Sequence, residues 1–213
     1  MTGRVWLFDL DNTLHDANPH IFPAISRAMG EYVAHRVGLD EQEARQLRDH
    51  YWRRYGATLT GLVRHHGVDP HHFLATTHAF LDDLPRMLVH EPALRHVLKR
   101  LPGRKIVFSN APRRYVEAVL ELIGLRSLID GIWCIERLRF TPKPHGAAFR
   151  RLLSRERLDA RRCILVEDTP ANLRAAKRLG MTTVLVSRAQ QVPAYVDRRI
   201  KSVLELPKLG LSR

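Results

Sequence analysis

Five short apolar segments constrain the fold of this 213-residue chain most strongly. They are rich in Val, Ile and Leu, which is typical of strands buried on both faces of a sheet. The segments span residues 4–10, 105–109, 131–135, 163–167 and 183–187, and helical patterns at 113–123, 146–153 and 172–179 separate the later ones. Because parallel strands are joined by long right-handed crossovers, this alternation predicts an α/β fold with a Rossmann-like parallel sheet flanked by helices.

The interval between the first and second apolar segments breaks this alternation. Its residues 21–37 carry apolar side chains at helical spacing, and Asp40 with Glu43 forms a capping-box pattern that opens another helix. An interval of this length and pattern indicates a helical module inserted into the sheet domain. We therefore predict an all-helical cap domain at residues 19–90 and an α/β core domain made of residues 1–18 and 91–213.

Polar side chains stand at the ends of the predicted strands. Asp9 and Asp11 alternate with apolar residues at the end of the first strand, so they share one face of the chain. Two carboxylates on one face repel each other, and burying them is costly unless they are paired or bind a metal ion. Ligands of open parallel sheets bind beyond the carboxyl ends of the strands. We therefore expect Asp9 and Asp11 to meet the polar residues that follow the other strands, namely Ser109, Asn110, Lys143, Glu167 and Asp168.

Taken in order, these segments resemble the four signatures of the haloacid dehalogenase (HAD) superfamily. Asp9-Leu-Asp11-Asn-Thr13 looks like the first signature, and Ser109 in Phe-Ser-Asn-Ala looks like the second. Lys143 in Thr-Pro-Lys-Pro is similar to the third signature. Glu167-Asp168 followed by Asn172 is similar to the fourth. The predicted helical insert lies where this superfamily places a cap of its first type.

The resemblance implies a phosphomonoester hydrolase that forms an aspartyl-phosphate. Asp9 would attack phosphorus, while Asp11 would protonate the leaving alcohol and then activate water. Ser109, Asn110 and Lys143 would bind the phosphoryl group. The implied cofactor is Mg²⁺, held by Asp9, Asp168 and the backbone carbonyl of Asp11, by Glu167 directly or through water, and supported by Thr13 and Asn172.

One stretch of the predicted cap, YWRRYGATLTGL at residues 51–62, resembles the pyrimidine 5′-nucleotidase branch of the superfamily. This resemblance implies hydrolysis of nucleoside 5′-monophosphates such as UMP and CMP. Tyr51 and Tyr55 share a helix face, where they either stack on a base or pack in the core of the cap. The candidate substrate contacts are His15, where relatives commonly carry tyrosine, and Tyr51, Arg54, Tyr55 and His65.

Asp11 narrows the possible chemistry. Members of the superfamily that hydrolyse carbon–halogen bonds lack an acid at this position, and its transport ATPases carry threonine there, so Asp11 favours a phosphatase or a phosphomutase. The motifs do not separate a nucleotidase from an enzyme acting on another small ester, such as a sugar phosphate, phosphoglycolate or pyridoxal phosphate. A non-catalytic binding protein is the third class, and retention of every catalytic side chain argues against it.

Composition indicates the setting in which the protein acts. The net charge of +13 comes from arginine clusters scattered over several predicted elements, which favours a solvated surface that attracts small anions over a nucleic-acid interface. No apolar run is long enough to span a membrane, and the first residues do not resemble an export signal. Cys134 and Cys163 lie in apolar, strand-like segments. We expect a cytoplasmic enzyme with reduced core thiols that acts on a small phosphorylated metabolite.

Overall fold

A computed structural model describes residues 3–211, which form a six-stranded parallel sheet. The strands are β1 (Val5–Phe8), β2 (Arg104–Phe108), β3 (Gly131–Trp133), β4 (Cys163–Glu167), β5 (Thr182–Val186) and β6 (Arg198–Ile200). Their spatial order is β3-β2-β1-β4-β5-β6, so β1 and β4 lie side by side at the centre. The predicted Rossmann-like α/β class is confirmed.

The α-helices of the described residues flank this sheet or lie between β1 and β2. They are α1 (Ile21–Val37), α2 (Glu41–Tyr55), α3 (Thr58–His66), α4 (Pro70–Thr77), α5 (Leu84–Met87), α6 (Leu94–Arg100), α7 (Arg113–Leu122), α8 (Gly146–Glu156) and α9 (Pro170–Arg178). Short 3₁₀ segments occur at Ala79–Asp83, Arg126–Leu128, Ala160–Arg162 and Val203–Leu209. None of these helices combines the length and apolarity that a membrane span requires.

Strand β6 is not among the predicted strands. It has only three residues, and two of them, Arg198 and Arg199, are exposed. As the edge strand beside β5, it needs only backbone pairing on one side and carries charged side chains that an edge tolerates. Its sequence therefore lacks the apolar run that marks the five central strands.

The two faces of the sheet have separate apolar cores because side chains alternate along each strand. Phe8 belongs to the core that includes Val116 of α7, whereas its neighbour Leu7 belongs to the opposite core with Phe149 of α8 and Leu173 of α9. Both faces of the central strands are thereby shielded from water, and the polar strand ends are left for other interactions.

Helices α1–α4 share a third apolar core of their own. The predicted capping box is present at the start of α2, where Asp40 Oδ1 accepts from the Glu43 N–H at 2.8 Å and Glu43 Oε2 accepts from the Asp40 N–H at 3.0 Å. Ile135 and Phe140, from the loop after β3, join this core. The helical cap thus packs on the loop that carries Lys143, while the bounds 19–90 stay a prediction.

Gly61 allows α2 to pack closely on α3. A Cβ atom added at this position would lie 2.1 Å from Cγ of Tyr51, far inside contact distance. Tyr51 is only 6% exposed and belongs to the apolar core of the cap. The glycine of the TLTGL stretch therefore serves the packing of the Tyr51 ring against the backbone of α3.

We expect Gly61→Ala to destabilise the protein. Overpacking of this kind costs about 1–3 kcal/mol, and each kcal/mol lowers the melting temperature of a chain this long by about 2–4 °C. Gly30→Ala is the matched control, because its Cβ would come no nearer than 3.4 Å to the flexible Arg48 side chain and alanine favours the helix. A Gly61→Ala variant that melts at or above the wild-type temperature in a thermal denaturation experiment would refute this packing.

Candidate active site

The loop after β1 carries the two carboxylates of the first signature. The Asp9 N–H donates to the Val166 carbonyl oxygen at 3.0 Å and so continues the pairing of β1 with β4. Asn12 then adopts a left-handed conformation with φ of 58°, which asparagine tolerates better than most residues. Its Oδ1 accepts from the Ala17 N–H at 3.0 Å, which closes the loop. Asp9 and Asp11 both line the same cavity at the carboxyl ends of the strands.

Lys143 lies between two carboxylates at the base of this cavity. Its Nζ is 2.7 Å from Asp9 Oδ1 and 2.7 Å from Glu167 Oε2, and its side chain is 1% exposed. Burial by itself lowers the pKa of Lys143, but the charges of Asp9 and Glu167 outweigh burial and raise the pKa well above the usual value. Lys143 is therefore a fixed positive charge beside Asp9.

Asn110 holds the loop that carries Lys143. Its Nδ2 donates to the Lys143 carbonyl oxygen at 3.0 Å, and its Oδ1 accepts from the Lys143 N–H at 2.8 Å. This leaves the second Nδ2 hydrogen and the backbone N–H of Asn110 for a phosphate contact, and that role stays a prediction. Ser109 Oγ accepts from the Ala111 N–H at 3.0 Å, which leaves its hydroxyl hydrogen to donate into the cavity.

Three carboxylates crowd together next to Lys143. Asp9, Glu167 and Asp168 each offer an oxygen within 4.8 Å of the others. Burial, reinforced by Glu167, raises the pKa of Asp9 well above its usual range. Burial and the contact with Glu167 also raise the pKa of Asp168 to about 7. One lysine offsets only part of this negative charge, so the oxygen-rich donor set fits a hard divalent cation such as Mg²⁺.

Glu167 and Asp168 differ in how their oxygens are engaged. Glu167 is fully buried, and its Oε2 accepts from Lys143 Nζ and from Asn172 Nδ2 at 2.9 Å. Its Oε1 accepts from the N–H groups of Asp168 and Thr169 at 3.2 and 3.1 Å. Burial raises the pKa of Glu167, but Lys143 and these hydrogen bonds lower it further than burial raises it. Asp168 is half-buried and lines the cavity, which favours Asp168 over Glu167 as the direct ligand.

Asn172 and Thr13 were both predicted to support the metal ligands. Asn172 is positioned to do so through its bond to Glu167, and it also lines the cavity. Thr13 is buried, but its Oγ1 has no hydrogen-bond partner in the part of the chain that is described. The supporting roles of Asn172 and Thr13 therefore stay predictions, and the geometry favours that of Asn172.

The cavity has a volume of about 440 Å³ and extends from the carboxylates to the cap. Its cap side is largely apolar and aromatic, with Phe22, Met29, Trp52 and Phe73 among the lining residues. Lys143 is the only lysine or arginine among the residues of segment 3–211 that line it. The titratable residue His78 also lines the cavity on the cap side, and burial lowers its pKa. Among the described residues, the cap side of the cavity therefore offers no lysine or arginine, and burial disfavours the charged form of His78.

Comparison with known proteins identifies the family. Residues 6–186 match the family model described as haloacid dehalogenase-like hydrolase. The chain belongs to the haloacid dehalogenase-like hydrolase family. The predicted superfamily is thus confirmed, and with it the prediction that the chain is a hydrolase of this type.

Three similar proteins show how far this likeness extends. Phosphate metabolism protein 8 of Saccharomyces cerevisiae is 26% identical over 199 residues, which cover 85% of this chain but only 61% of the yeast protein. Validoxylamine A 7′-phosphate phosphatase of Streptomyces hygroscopicus subsp. limoneus is 26% identical over 216 residues, 98% of this chain and 99% of that protein. A HAD phosphatase from Thermococcus onnurineus shares the fold with a TM-score of 0.68 at 22% identity over 99% of each chain.

The structure of this HAD-like hydrolase places the expected substrate contacts of the cap outside the cavity lining. Tyr51, Arg54, Tyr55 and His65 are not among the residues that line the cavity. The Tyr51 hydroxyl lies 2.8 Å from His66 Nε2, and the Tyr55 hydroxyl lies 2.7 Å from His65 Nε2. The Arg54 guanidinium lies 6.0 Å from the centre of the Tyr55 ring. These side chains contact one another where α2 meets α3, and that packing holds them away from the cavity.

Trp52 is the aromatic residue that sequence reasoning missed. It is 64% exposed and lines the cavity, although its neighbour Tyr51 is buried. One residue along a helix corresponds to about 100° of rotation, so Trp52 lies off the face that buries Ala44 and Tyr51. A large aromatic residue on an otherwise charged helix face is the signal that identifies it.

His15, the remaining candidate substrate contact, is likewise outside the cavity lining. It is 4% exposed and is not among the residues lining the cavity, because its ring is turned toward the first signature. Its Nε2 is 3.0 Å from Asp11 Oδ1. The Tyr115 hydroxyl donates to the same oxygen at 2.5 Å, a contact between residues 104 positions apart that no local pattern indicates.

Proposed function

We propose that this protein is a magnesium-dependent phosphomonoester hydrolase that forms an aspartyl-phosphate on Asp9. We further propose nucleoside 5′-monophosphates as its substrates, with UMP and CMP as the first candidates. The observation that carries the proposal is the single cavity that joins Asp9 and Lys143 to an uncharged, aromatic cap wall. Such a cavity fits an ester with one charged phosphoryl group and a neutral, partly aromatic leaving group.

The residues of the cavity divide the reaction between them. Lys143 bonds to Oδ1 of Asp9, which leaves Oδ2 to attack phosphorus. Ser109 donates to a phosphoryl oxygen, and Asp11 gives a proton to the leaving alcohol and takes one from the attacking water. Mg²⁺ held by Asp9 and Asp168 would supply the positive charge that lets a carboxylate approach a phosphate dianion.

The charge of the cap wall separates the candidate substrates. Phosphoglycolate carries a carboxylate, and a sugar bisphosphate carries a second phosphate, so each would call for a cation on the cap side of the cavity. A nucleoside offers a base that can stack on Trp52 and polar groups that can bond to Thr58 and Thr60, which line the same wall. Another small monoester is the second candidate, favoured by the end-to-end match to a relative named for validoxylamine A 7′-phosphate.

The proposed setting is a reducing, cytoplasmic one. Cys134 and Cys163 are both buried and unbridged. Burial raises the pKa of Cys163 to about 11, so this thiol is protonated and unreactive at neutral pH. The two cysteines therefore act as apolar core residues, and no part of the proposed chemistry depends on them.

A panel of phosphate esters tests both halves of the proposal. The panel contains UMP, CMP, p-nitrophenyl phosphate, 2-phosphoglycolate and fructose 1,6-bisphosphate, each assayed with Mg²⁺ and with EDTA. We expect kcat/KM for the nucleotides to exceed that for the two esters that carry a second anionic group, 2-phosphoglycolate and fructose 1,6-bisphosphate, by at least about tenfold, the equivalent of 1.4 kcal/mol. A preference for phosphoglycolate would overturn the substrate class alone. Absence of Mg²⁺-dependent hydrolysis on the whole panel would overturn the hydrolase proposal.

We expect Trp52→Ala to reduce activity selectively. Loss of an aromatic residue that stacks on a base costs about 1–3 kcal/mol, or roughly a five- to hundredfold drop in kcat/KM for UMP or CMP. Activity on p-nitrophenyl phosphate should change little, because its small ring needs little of the cap. Tyr55→Ala is the control for damage to the cap, since Tyr55 lies on the same helix outside the cavity lining. Equal losses on nucleotides and p-nitrophenyl phosphate in Trp52→Ala would remove Trp52 from substrate binding.

A further inference from the structure

We propose that His15 and Tyr115 are positioning residues that orient the carboxyl group of Asp11 for proton exchange. The proposal rests on the hydrolase function given above. The Tyr115 hydroxyl, on α7, donates to Asp11 Oδ1 at 2.5 Å, and His15 Nε2 lies 3.0 Å from the same oxygen. Tyr115 is fully buried and His15 nearly so, whereas the Asp11 side chain is 17% exposed and lines the cavity. The two buried rings of Tyr115 and His15 thus hold the carboxyl group of Asp11, which is partly exposed to the cavity.

Two donors on one oxygen fix the rotation of the carboxyl group. The terminal torsion of an aspartate is broad, so an unsupported carboxylate samples many orientations. Hydrogen bonds to a carboxylate are shorter and stronger than those between neutral groups. With Oδ1 engaged by Tyr115 and His15, Oδ2 is the oxygen left to exchange a proton with the leaving-group oxygen and then with water.

The hydrogen-bond network assigns the proton on the His15 ring. The Nδ1 atom of His15 is buried and has no hydrogen-bond partner among the described residues. A hydrogen on Nδ1 would be a buried donor without an acceptor, so the network places the ring hydrogen on Nε2, directed at Asp11. The Tyr115 hydroxyl lies 3.4 Å from His15 Nε2, farther than its 2.5 Å contact with Asp11. Both rings therefore donate to Asp11.

Side chains from the cap side keep the Tyr115 ring in place. His78 and Phe80, from the segment between α4 and α5, pack edge-on against it with ring centres 5.5 and 6.2 Å away. The His78 ring is itself tied down, since its Nδ1 lies 3.2 Å from the Leu74 carbonyl oxygen. The hydroxyl of Tyr115 consequently has little freedom to move away from Asp11.

Tyr115→Phe tests this role because it removes the hydroxyl and keeps the ring. A hydrogen bond to a charged group contributes about 1.5–3 kcal/mol, so kcat/KM for UMP, an ester with a poor leaving group, should fall at least about tenfold. For p-nitrophenyl phosphate, whose leaving group needs little protonation, kcat/KM should fall less than about threefold. KM for UMP should stay unchanged, since Tyr115 does not line the cavity. His15→Gln, which keeps a donor, should lose less activity than His15→Leu.

Tyr32→Phe provides the matched control. The hydroxyl of the buried Tyr32 lies 3.0 Å from Nδ1 of the exposed His72, so it also belongs to a tyrosine–histidine pair, but neither residue lines the cavity. This variant should keep the wild-type ratio of kcat/KM between UMP and p-nitrophenyl phosphate.

Equal losses on both esters in a folded Tyr115→Phe, or no loss on either, would overturn the positioning role. If Tyr115→Phe fails to fold, His15→Leu should show the same selective loss on UMP, and equal losses there would overturn the role. A wild-type enzyme that hydrolyses neither ester would refute the proposed function and the positioning role with it.

Discussion

Asp9→Asn is expected to lower kcat by more than about a hundredfold on every ester that the wild-type enzyme hydrolyses. An amide is a poor nucleophile and a weaker metal ligand than a carboxylate. The fold should survive, because Asn is nearly isosteric and its Oδ1 can still accept from Lys143, which lies 2.7 Å from that oxygen in the wild-type chain. Initial rates on UMP and p-nitrophenyl phosphate, with circular dichroism as the folding check, measure the effect.

Asp16→Asn is the matched control for Asp9→Asn. Asp16 lies in the same loop, is exposed and does not line the cavity. The Asp16→Asn variant makes the same chemical change as Asp9→Asn but outside the cavity, so it should keep wild-type rates. Retention of more than about a hundredth of wild-type kcat in Asp9→Asn would contradict the nucleophilic role, since covalent catalysis accounts for more than that.

Lys143→Met is expected to have the largest effect on stability. Removing one partner of a buried ion pair costs about 3–5 kcal/mol, because the remaining charge is left uncompensated. Here two buried carboxylates, Asp9 and Glu167, would lose their common partner. Urea denaturation in EDTA, which prevents a metal ion from replacing the lysine, should therefore show a free energy of unfolding reduced by about this amount. Catalysis should also be lost, because the fixed positive charge beside Asp9 is gone.

Two further variants test the cause of this destabilisation. Lys105 is also buried, but its Nζ bonds to the Gly103 carbonyl oxygen, so Lys105→Met should cost much less stability. The double variant Lys143→Met/Glu167→Gln removes one of the two stranded anions and should regain part of the lost stability without regaining activity. If Lys143→Met unfolds within about 1 kcal/mol of the wild-type chain, the lysine does not hold the carboxylates together.

The parts of this fold and site that follow from local sequence were predictable. Each central strand is a short apolar run. In a parallel sheet, the polar residue that ends such a run lies at the carboxyl edge, so its place follows from the local sequence. Asp9, Ser109 and Asp168 could therefore be assigned to one site from sequence alone. Strand β6 was not predicted, because an edge strand of three residues needs no apolar run.

The parts that depend on distant packing were not predictable. Helical spacing places Tyr51 and Tyr55 on one face of α2, but it does not say whether that face meets the substrate or another helix. The Tyr51 ring packs against α3 because Gly61, in that helix, has no side chain to block it. Trp52, the next residue along α2, then lines the cavity. Tyr115 reaches Asp11 only because α7 packs beside β1. No pattern within either segment contains that information.

The most direct test of the proposed aspartyl-phosphate mechanism is to identify the residue that becomes phosphorylated during turnover. The wild-type enzyme and the Asp9→Asn and Asp11→Asn variants would be mixed with Mg²⁺ and ³²P-labelled p-nitrophenyl phosphate, whose good leaving group lets the first step proceed without an acid. The reactions would be quenched in acid within milliseconds and digested for peptide mapping. We predict a hydroxylamine-sensitive label on the peptide that contains Asp9, transient in the wild type, absent in Asp9→Asn and accumulating in Asp11→Asn, where the base for its hydrolysis is missing. Turnover of p-nitrophenyl phosphate with no label on Asp9 in either the wild type or Asp11→Asn would contradict the aspartyl-phosphate mechanism.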